Sequence, residues 1–343
     1  MSRSDRFLKA CRLEKPDCTP VWFMRQAGRY MKAYRGIREK HGLMEMFKNP
    51  GIAAEVTLQP VRAFAVDAAI VFADILLPLE GMGLPFEFAP GPVIRRPVRN
   101  RADIRALRVA DPDEDLGHVL EALRMVRSEL DGDVPLIGFA GAPFTLASYA
   151  IEGGSSSNYL LTKGLMYGDR EAWDLLMDTF SRTILGFLKA QVRAGAQAVQ
   201  IFDSWVGCLG PADYESFVLP YTRRIFDSLR QEGVPSIHFG TGTAGLLQLF
   251  ASAGGDVVGV DWRTALDTAW RTIGPGAGIQ GNLDPAALMA PPPVWKRKAM
   301  EVLRQAGGAP GHIFNLGHGI GPSTPEDSVR ALADFVHEST SGT

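Results

Sequence analysis

The chain repeats one pattern. A short run of β-branched and aromatic residues ends in glycine or a polar residue, and an amphipathic stretch follows. Eight such runs occur: PVWFMR from Pro20, AAIVFAD from Ala68, PLIGFAG from Pro135, AVQIFDS from Ala198, PSIHFG from Pro235, VVGVDW from Val257, GIQGNLD from Gly278 and HIFNLGHG from His312. Their nearly unbroken apolarity predicts strands buried on both faces, as in a parallel sheet. The stretches between them predict helices. GLLQLFASAG closes on glycine, and NLDPAALM offers Asp284 as a cap before Pro285. STPEDSVRALADFVHE offers Thr324 as N-cap and Pro325 at the first helical position, with acids in the first turn.

Eight strands alternating with helices predict a single (β/α)8 TIM barrel domain spanning 1–343, with an open doubly wound sheet as the competing architecture. The first three connections exceed what a bare βα unit needs. Residues 76–99, rich in Pro and Gly, predict a hairpin or flap over the C-terminal mouth. Barrel enzymes carry their chemistry where the strands end. Here those ends hold Arg25 and Arg29, Asp74, Asp203 and Ser204, His238, Asp261, Asp284 and His318. Asp284 reads as a helix cap, and loop closure accounts equally well for Asp261 and His238.

Composition narrows the partners. The 343 residues are 46% hydrophobic and 22% charged with a net charge of −2, which suits a globular domain and gives no overall field for nucleic acid or an anionic membrane. Recognition of an anion must come from a local cluster. Between Arg25 and Lys40 stand six basic residues (Arg25, Arg29, Lys32, Arg35, Arg38, Lys40) and one acid, Glu39. A solvated helix face is the plain alternative. Three scattered cysteines, Cys11, Cys18 and Cys208, suit a reducing cytoplasm. The first residues, MSRSDRFLKACRL, lack the apolar core of a signal peptide, and no apolar run reaches membrane-spanning length.

Several motifs compete. FGTGTAGLL satisfies G-x-G-x-x-G at Gly240, Gly242 and Gly245, with Asp261 where a ribose-binding acid would fall. That dinucleotide reading leaves the arginine cluster unexplained and sits four units into the chain. The six histidines form no H-x-x-x-H pair, and neither a G-x-S-x-G elbow nor a P-loop is present. Asp74 ends an apolar run with no polar neighbour in sequence, so its carboxylate needs a partner from elsewhere, a salt bridge or a ligand. His318, between Gly317 and Gly319, fits a structural turn as well as a ligand site. Ser204 and Tyr149 are single hydroxyls.

Together these motifs resemble the uroporphyrinogen decarboxylase family. The resemblance runs from PVWFMRQAGRY through LQPVRAFAVDAAIVFADIL, PLIGFAGAPFTLASYAIEG, GAQAVQIFDS and GIQGNLDP to FNLGHGI. It implies a homodimeric barrel that removes CO2 from the four acetate side chains of uroporphyrinogen to give coproporphyrinogen, without metal or organic cofactor. By motif match it implies substrate binding by Arg25, Gln26, Ala27, Arg29, Asp74, Tyr149, Ser204 and His318, with Arg38 as a weaker match. It also implies catalytic roles for Asp74, Arg25, Tyr149 and His318. The family commonly reads Pro-Glu where Lys32 and Ala33 stand. A related barrel family transfers methyl groups from corrinoid proteins using zinc and a His-x-Cys pair, but His238 is followed by Phe239 and Gly240. A binding protein that has lost catalysis is the non-enzyme alternative.

Overall fold

The computed structural model describes residues 1–342. Seven of the eight runs enter one parallel sheet: β1 (Ala69–Ile70), β4 (Leu136–Gly141), β5 (Ala198–Asp203), β6 (Ser236–Gly240), β7 (Val257–Gly259), β8 (Gly278–Gln280) and β9 (His312–Ile313). They stand in the order β1-β4-β5-β6-β7-β8-β9, each beside its successor, so the strand order has no reversal of the kind an open doubly wound sheet uses. The remaining strands, β2 (Phe86–Phe88) and β3 (Pro92–Ile94), form the antiparallel hairpin expected within 76–99. The amide of Ile94 donates to the Gly153 carbonyl and that of Val98 to Ala150, so the hairpin lies along the helix Pro143–Glu152.

The first run, predicted as a strand, contributes only a single parallel bridge, Val21 to Phe314. The reason is visible in its hydrogen bonds. Toward β9, Trp22 N–H donates to Phe314 O, and Phe314 N–H donates to Pro20 O. Toward β1, Val21 O accepts from Asp67 N–H, but Val21 N–H donates to the Asp67 carboxylate at 2.7 Å. Higher up, Gln26 Nε2 donates to Ala68 O and Met24 N–H to Asn315 Oδ1. Side chains thus satisfy backbone groups that a regular ladder would pair with backbone.

Parallel strands bury both faces, and the period of two sorts their residues. Trp22, Met24, Ala68, Ile137, Ala198, Ile237, Phe239, Val257 and Ile313 form the inner core, closed at the strand starts by Phe7, Ala10 and Cys11 of the helix Arg3–Cys11. Val199, Ile201 and Val258 belong to the outer core beneath the helices. On this alternation Asp203 and His238 share the outward parity. They do not join the ring of polar groups at the mouth.

The helix ends show one further difference. Asp284 caps as expected, accepting from Ala286 N–H. The last helix, however, is Glu326–Thr340 with Pro325 at the N-cap, one position later than the Thr324 reading. Thr324 is buried, and its amide closes a turn on Gly321 O. The acids Glu326 and Asp327 occupy the first turn, where they favour the helix dipole.

Asp67 is fully buried and also holds Arg6 at 2.6 Å and His337 at 2.6 Å. Replacing it strands the Val21 amide, removes the acid facing His337 and leaves Arg6 only Asp17. Asp67→Ala should cost about 3–5 kcal/mol of stability in a denaturant titration; a loss within about 0.5 kcal/mol, as for an exposed position, would show that the seam does not depend on it.

Candidate active site

The ends of the first run and of β1 set the centre of the site. Phe23 O accepts from Gln26 N–H, closing a tight turn in which Arg25 takes φ +58°. A non-glycine residue there carries backbone strain of about 1 kcal/mol or more. The turn is held from both sides. Gln26 is buried, its Oε1 accepting from Phe23 N–H and its Nε2 reaching Ala68 O. Its side chain and its backbone N–H are therefore engaged by the fold, so Gln26 holds the turn in shape. Beyond the turn, Ala27 is half-buried, and Tyr30 OH donates to Gln26 O.

The stem of Arg25 lies across Gly319. A methyl group on that glycine would stand 2.5 Å from Arg25 Cδ. Arg25 is exposed, and among the described residues its guanidinium has neither a hydrogen bond nor an ion pair. Asp74 is half-buried and accepts Leu76 N–H on Oδ1 at 2.9 Å. Burial raises its carboxyl above the ordinary value, while the Leu76 amide and the Arg25 charge pull it back. Tyr149 stacks on Trp205, with ring centroids 3.7 Å apart. Burial pushes its hydroxyl up to about 12, with Asp74 adding to the shift and Arg25 opposing it. The structure thus gathers Arg25, Asp74 and Tyr149 within electrostatic reach of one another.

His318 borders the same group. Its Nδ1 accepts Gly319 N–H at 2.8 Å, which assigns the proton of the neutral ring to Nε2. Burial first, then Arg25 and Arg263, push it down to about 4, against the pull of Asp261. At neutral pH it is an uncharged N–H donor. Ser204 is half-buried at the end of β5, and its carbonyl accepts the Thr241 hydroxyl. Below the mouth, Phe139, Phe202 and Phe239 meet edge to face at 5.4 and 5.8 Å. All three sit near the ends of successive runs as GFA, IFD and HFG, a repeat that could have marked this apolar floor in the sequence.

Arg29 and Arg38 form a second basic group, both felt by the Tyr34 hydroxyl. Arg38 donates to His41 O, closing its own helix, Lys32–Arg38. The Arg29 guanidinium is exposed and unpartnered among the described residues. Arg35 is not a solvated face charge: it donates to the carbonyls of Arg29 and Tyr30 at 2.9 and 2.7 Å and braces the loop. Lys32 begins the helix, and its amide donates to Glu326 Oε2, a bond that proline could not make. Sequence reasoning missed Arg263, which sits over the Trp262 ring and pairs with the buried Asp261.

The competing motifs lose their ligands. In the glycine-rich turn Gly242 N–H donates to Asp261, and the Thr241 and Gly242 carbonyls press against Gly207, so the chain itself fills the cradle. His238 lies on the helix side of the sheet, flat on Phe250 at 3.9 Å. Among the described residues no three His, Cys, Asp or Glu side chains gather to hold a metal.

The fold and site define a parallel α/β protein with an acid and unpaired guanidinium groups at the strand ends. The chain belongs to the uroporphyrinogen decarboxylase family, whose model matches residues 2–339. The uroporphyrinogen decarboxylase of Sorangium cellulosum is 61% identical over 335 residues, covering 97% of this chain and 96% of its own. That of Carboxydothermus hydrogenoformans is 57% identical, covering 98% and 97%. A methyltransferase from Methanosarcina mazei shares the fold, with a TM-score of 0.84 at 21% identity over 98% of this chain and 99% of its own.

Gly319 has an ordinary φ, so alanine is tolerated by the backbone, yet its methyl would displace Arg25. Gly319→Ala should weaken binding of a polycarboxylated porphyrin about tenfold or more in a fluorescence titration while leaving the melting temperature nearly unchanged. Unaltered affinity would show that Arg25 does not reach the ligand.

Proposed function

We propose that the protein decarboxylates the four acetate side chains of uroporphyrinogen III to give coproporphyrinogen III in tetrapyrrole biosynthesis. The observation that carries this reading is Asp74, whose carboxyl is raised by burial, beside an Arg25 guanidinium that is unpaired among the described residues. The substrate presents inward pyrrole N–H groups and peripheral carboxylates. Asp74 suits the first as a central acceptor. Arg25 and Arg29 suit the second, because a guanidinium binds a carboxylate through two parallel hydrogen bonds. The Phe139, Phe202 and Phe239 floor suits the apolar ring atoms.

Decarboxylation needs an electron sink. Protonation of a pyrrole ring carbon makes that ring cationic, and Asp74 stabilises the developing charge. The C–C bond to the carboxylate then breaks, its electron pair neutralises the ring, and CO2 leaves. A second proton converts the exocyclic methylene to methyl, and the ring carbon then releases the first proton to restore the neutral pyrrole, so each CO2 lost takes up one proton net. Two groups around Arg25 carry N–H protons, Arg25 itself beside Asp74 and the neutral His318 Nε2–H, and a water or a carboxylic acid of the substrate competes with them as donor. Tyr149 and Ser204 line the same opening as neutral hydroxyls. This assigns Asp74, Arg25, Tyr149 and His318 to catalysis and Gln26, Ala27, Arg29, Arg38 and Ser204 to substrate contact or its support.

Anaerobic incubation with uroporphyrinogen, followed by separation of the oxidised porphyrins, should show stepwise loss from eight carboxylates to four. Asp74→Ala should abolish turnover, and Arg25→Lys should lower kcat/KM about tenfold or more, since a point charge does not replace the fork. Substantial turnover by Asp74→Ala would remove Asp74 from the mechanism.

The sheet is read here as a closed (β/α)8 barrel in one domain, with the Val21 run as its eighth member. The hydrogen bonds of that run to both Phe314 and Asp67 support closure. We also infer a homodimer. The helix Leu160–Gly168 exposes Leu160 (72%), Leu161 (49%) and Tyr167 (56%), an apolar face that water penalises. Sedimentation velocity should find a dimer that Leu160→Glu converts to monomer; a monomeric wild-type chain would overturn the pairing. A cytoplasmic enzyme suits the three free thiols, which a reducing compartment keeps unpaired.

A further inference from the structure

Asp203 is not part of the mechanism above, yet its burial requires an account. Its side chain is fully buried in the helix layer, and the chain gives its carboxylate one donor, the Thr145 hydroxyl at 2.9 Å on Oδ1. Among the described residues the other oxygen has no hydrogen-bond partner. His238 Nε2 lies 3.9 Å from it, beyond direct hydrogen-bond reach. Neither nitrogen of His238 nor the Tyr214 hydroxyl, all enclosed, has a partner either. An enclosed acid with so little compensation is costly, and it stands directly behind the site.

The connections of Thr145 say what this arrangement does. Thr145 sits on the helix Pro143–Glu152, four residues before Tyr149 and so on the same face. Besides donating to Asp203, its hydroxyl accepts Trp205 N–H at 3.3 Å. The Trp205 ring in turn stacks on Tyr149. Asp203, Thr145, Tyr149 and Trp205 therefore close a ring of contacts around Ser204. One link in that ring joins the end of β5 to the helix of Tyr149, and it passes through a single hydroxyl.

We propose that Asp203 is a positioning residue, which through Thr145 fixes the stacked Tyr149–Trp205 wall and Ser204 against the substrate. The inference rests on the decarboxylase reading. What acts is the geometry of the Asp203–Thr145 hydrogen bond, since the carboxylate faces away from the mouth on the outward parity of β5. A side chain of the same shape that keeps the bond should serve, and one that loses it should not.

The test is steady-state kinetics on four variants, run well below their melting temperatures and normalised to folded protein. Thr145→Ser and Asp203→Asn, which retain a hydroxyl donor and an oxygen acceptor, should stay within about threefold of wild type. Thr145→Val and Asp203→Leu should lose about tenfold to a hundredfold in kcat, the size expected for a reacting group displaced by a fraction of an ångström to an ångström. KM should change less than about threefold, because the arginines that bind carboxylates are untouched. A merely structural tie would lower the melting temperature of Thr145→Val and leave kcat per folded molecule at the wild-type value, which would overturn the proposal. So would an Asp203→Asn as impaired as Asp203→Leu, because charge and not geometry would then be at work. If Asp203→Leu does not fold, Thr145→Val against Thr145→Ser decides alone. Failure of the wild-type protein to decarboxylate uroporphyrinogen would instead sink the functional reading.

Discussion

The structure depends on one seam, where the beginning of the chain meets β1 and β9. Backbone pairing joins the first run to β9, but on the β1 side Asp67 stands in for part of the ladder with its carboxylate. Its backbone N–H and its carboxylate both engage Val21, and the same carboxylate holds Arg6 of the first helix and His337 of the last. Arg6 is held further by Asp17, and its charged form is strongly favoured by these two acids against the cost of burial. A buried ion pair contributes little by itself, but removing one member leaves an uncompensated charge. The N-terminal helix, the first run and the C-terminal helix are therefore locked in one register.

That register reaches the site through a short run of backbone. Between Val21 and Arg25 stand only Trp22, Phe23 and Met24, each held by the core or by a bond to a neighbouring strand. Gln26 then pins the far side of the turn to Ala68. The strained Arg25 is held between two fixed points, and its stem rests on Gly319 of the opposite loop. Its charge meets Asp74 and a neutral His318. The backbone and stem of Arg25 are thus set in place before any ligand arrives, and the entropy of orienting them falls on folding and not on binding.

Much of this was legible in the chain. Arg25, Asp74, Tyr149 and His318 were named from motifs, and the structure brings all four to one opening. What could not be read was which face a residue takes. Parallel strands are apolar on both sides, so AVQIFDS gives no sign that Gln200 and Phe202 point inward while Asp203 points outward. Asp203 and His238 were therefore grouped with the mouth although both belong to the helix layer. Closure by Gln26 and Asp67 was equally hidden, because a side chain standing in for a strand has no periodicity. Arg263 went unnoticed because its meaning comes from its nearness to His318, 55 positions along the chain.

The same alternation explains how a shallow strand end can be both soft enough to receive a large ligand and firm enough to orient it. Consecutive residues at the end of β5 face opposite layers. Ser204 meets the opening, and Asp203 behind it meets the helices. On the next loops Asp261, of the inward parity, accepts the Gly242 N–H and also carries Arg263. Polar groups at the mouth keep hydrogen-bonding capacity for a ligand, while acids behind them carry the cost of holding the loops. At the end of β5 a residue is then a contact or a support according to its parity. The distinction is a matter of a single position, which is why a one-residue slip of β5 would exchange the two roles and destroy both.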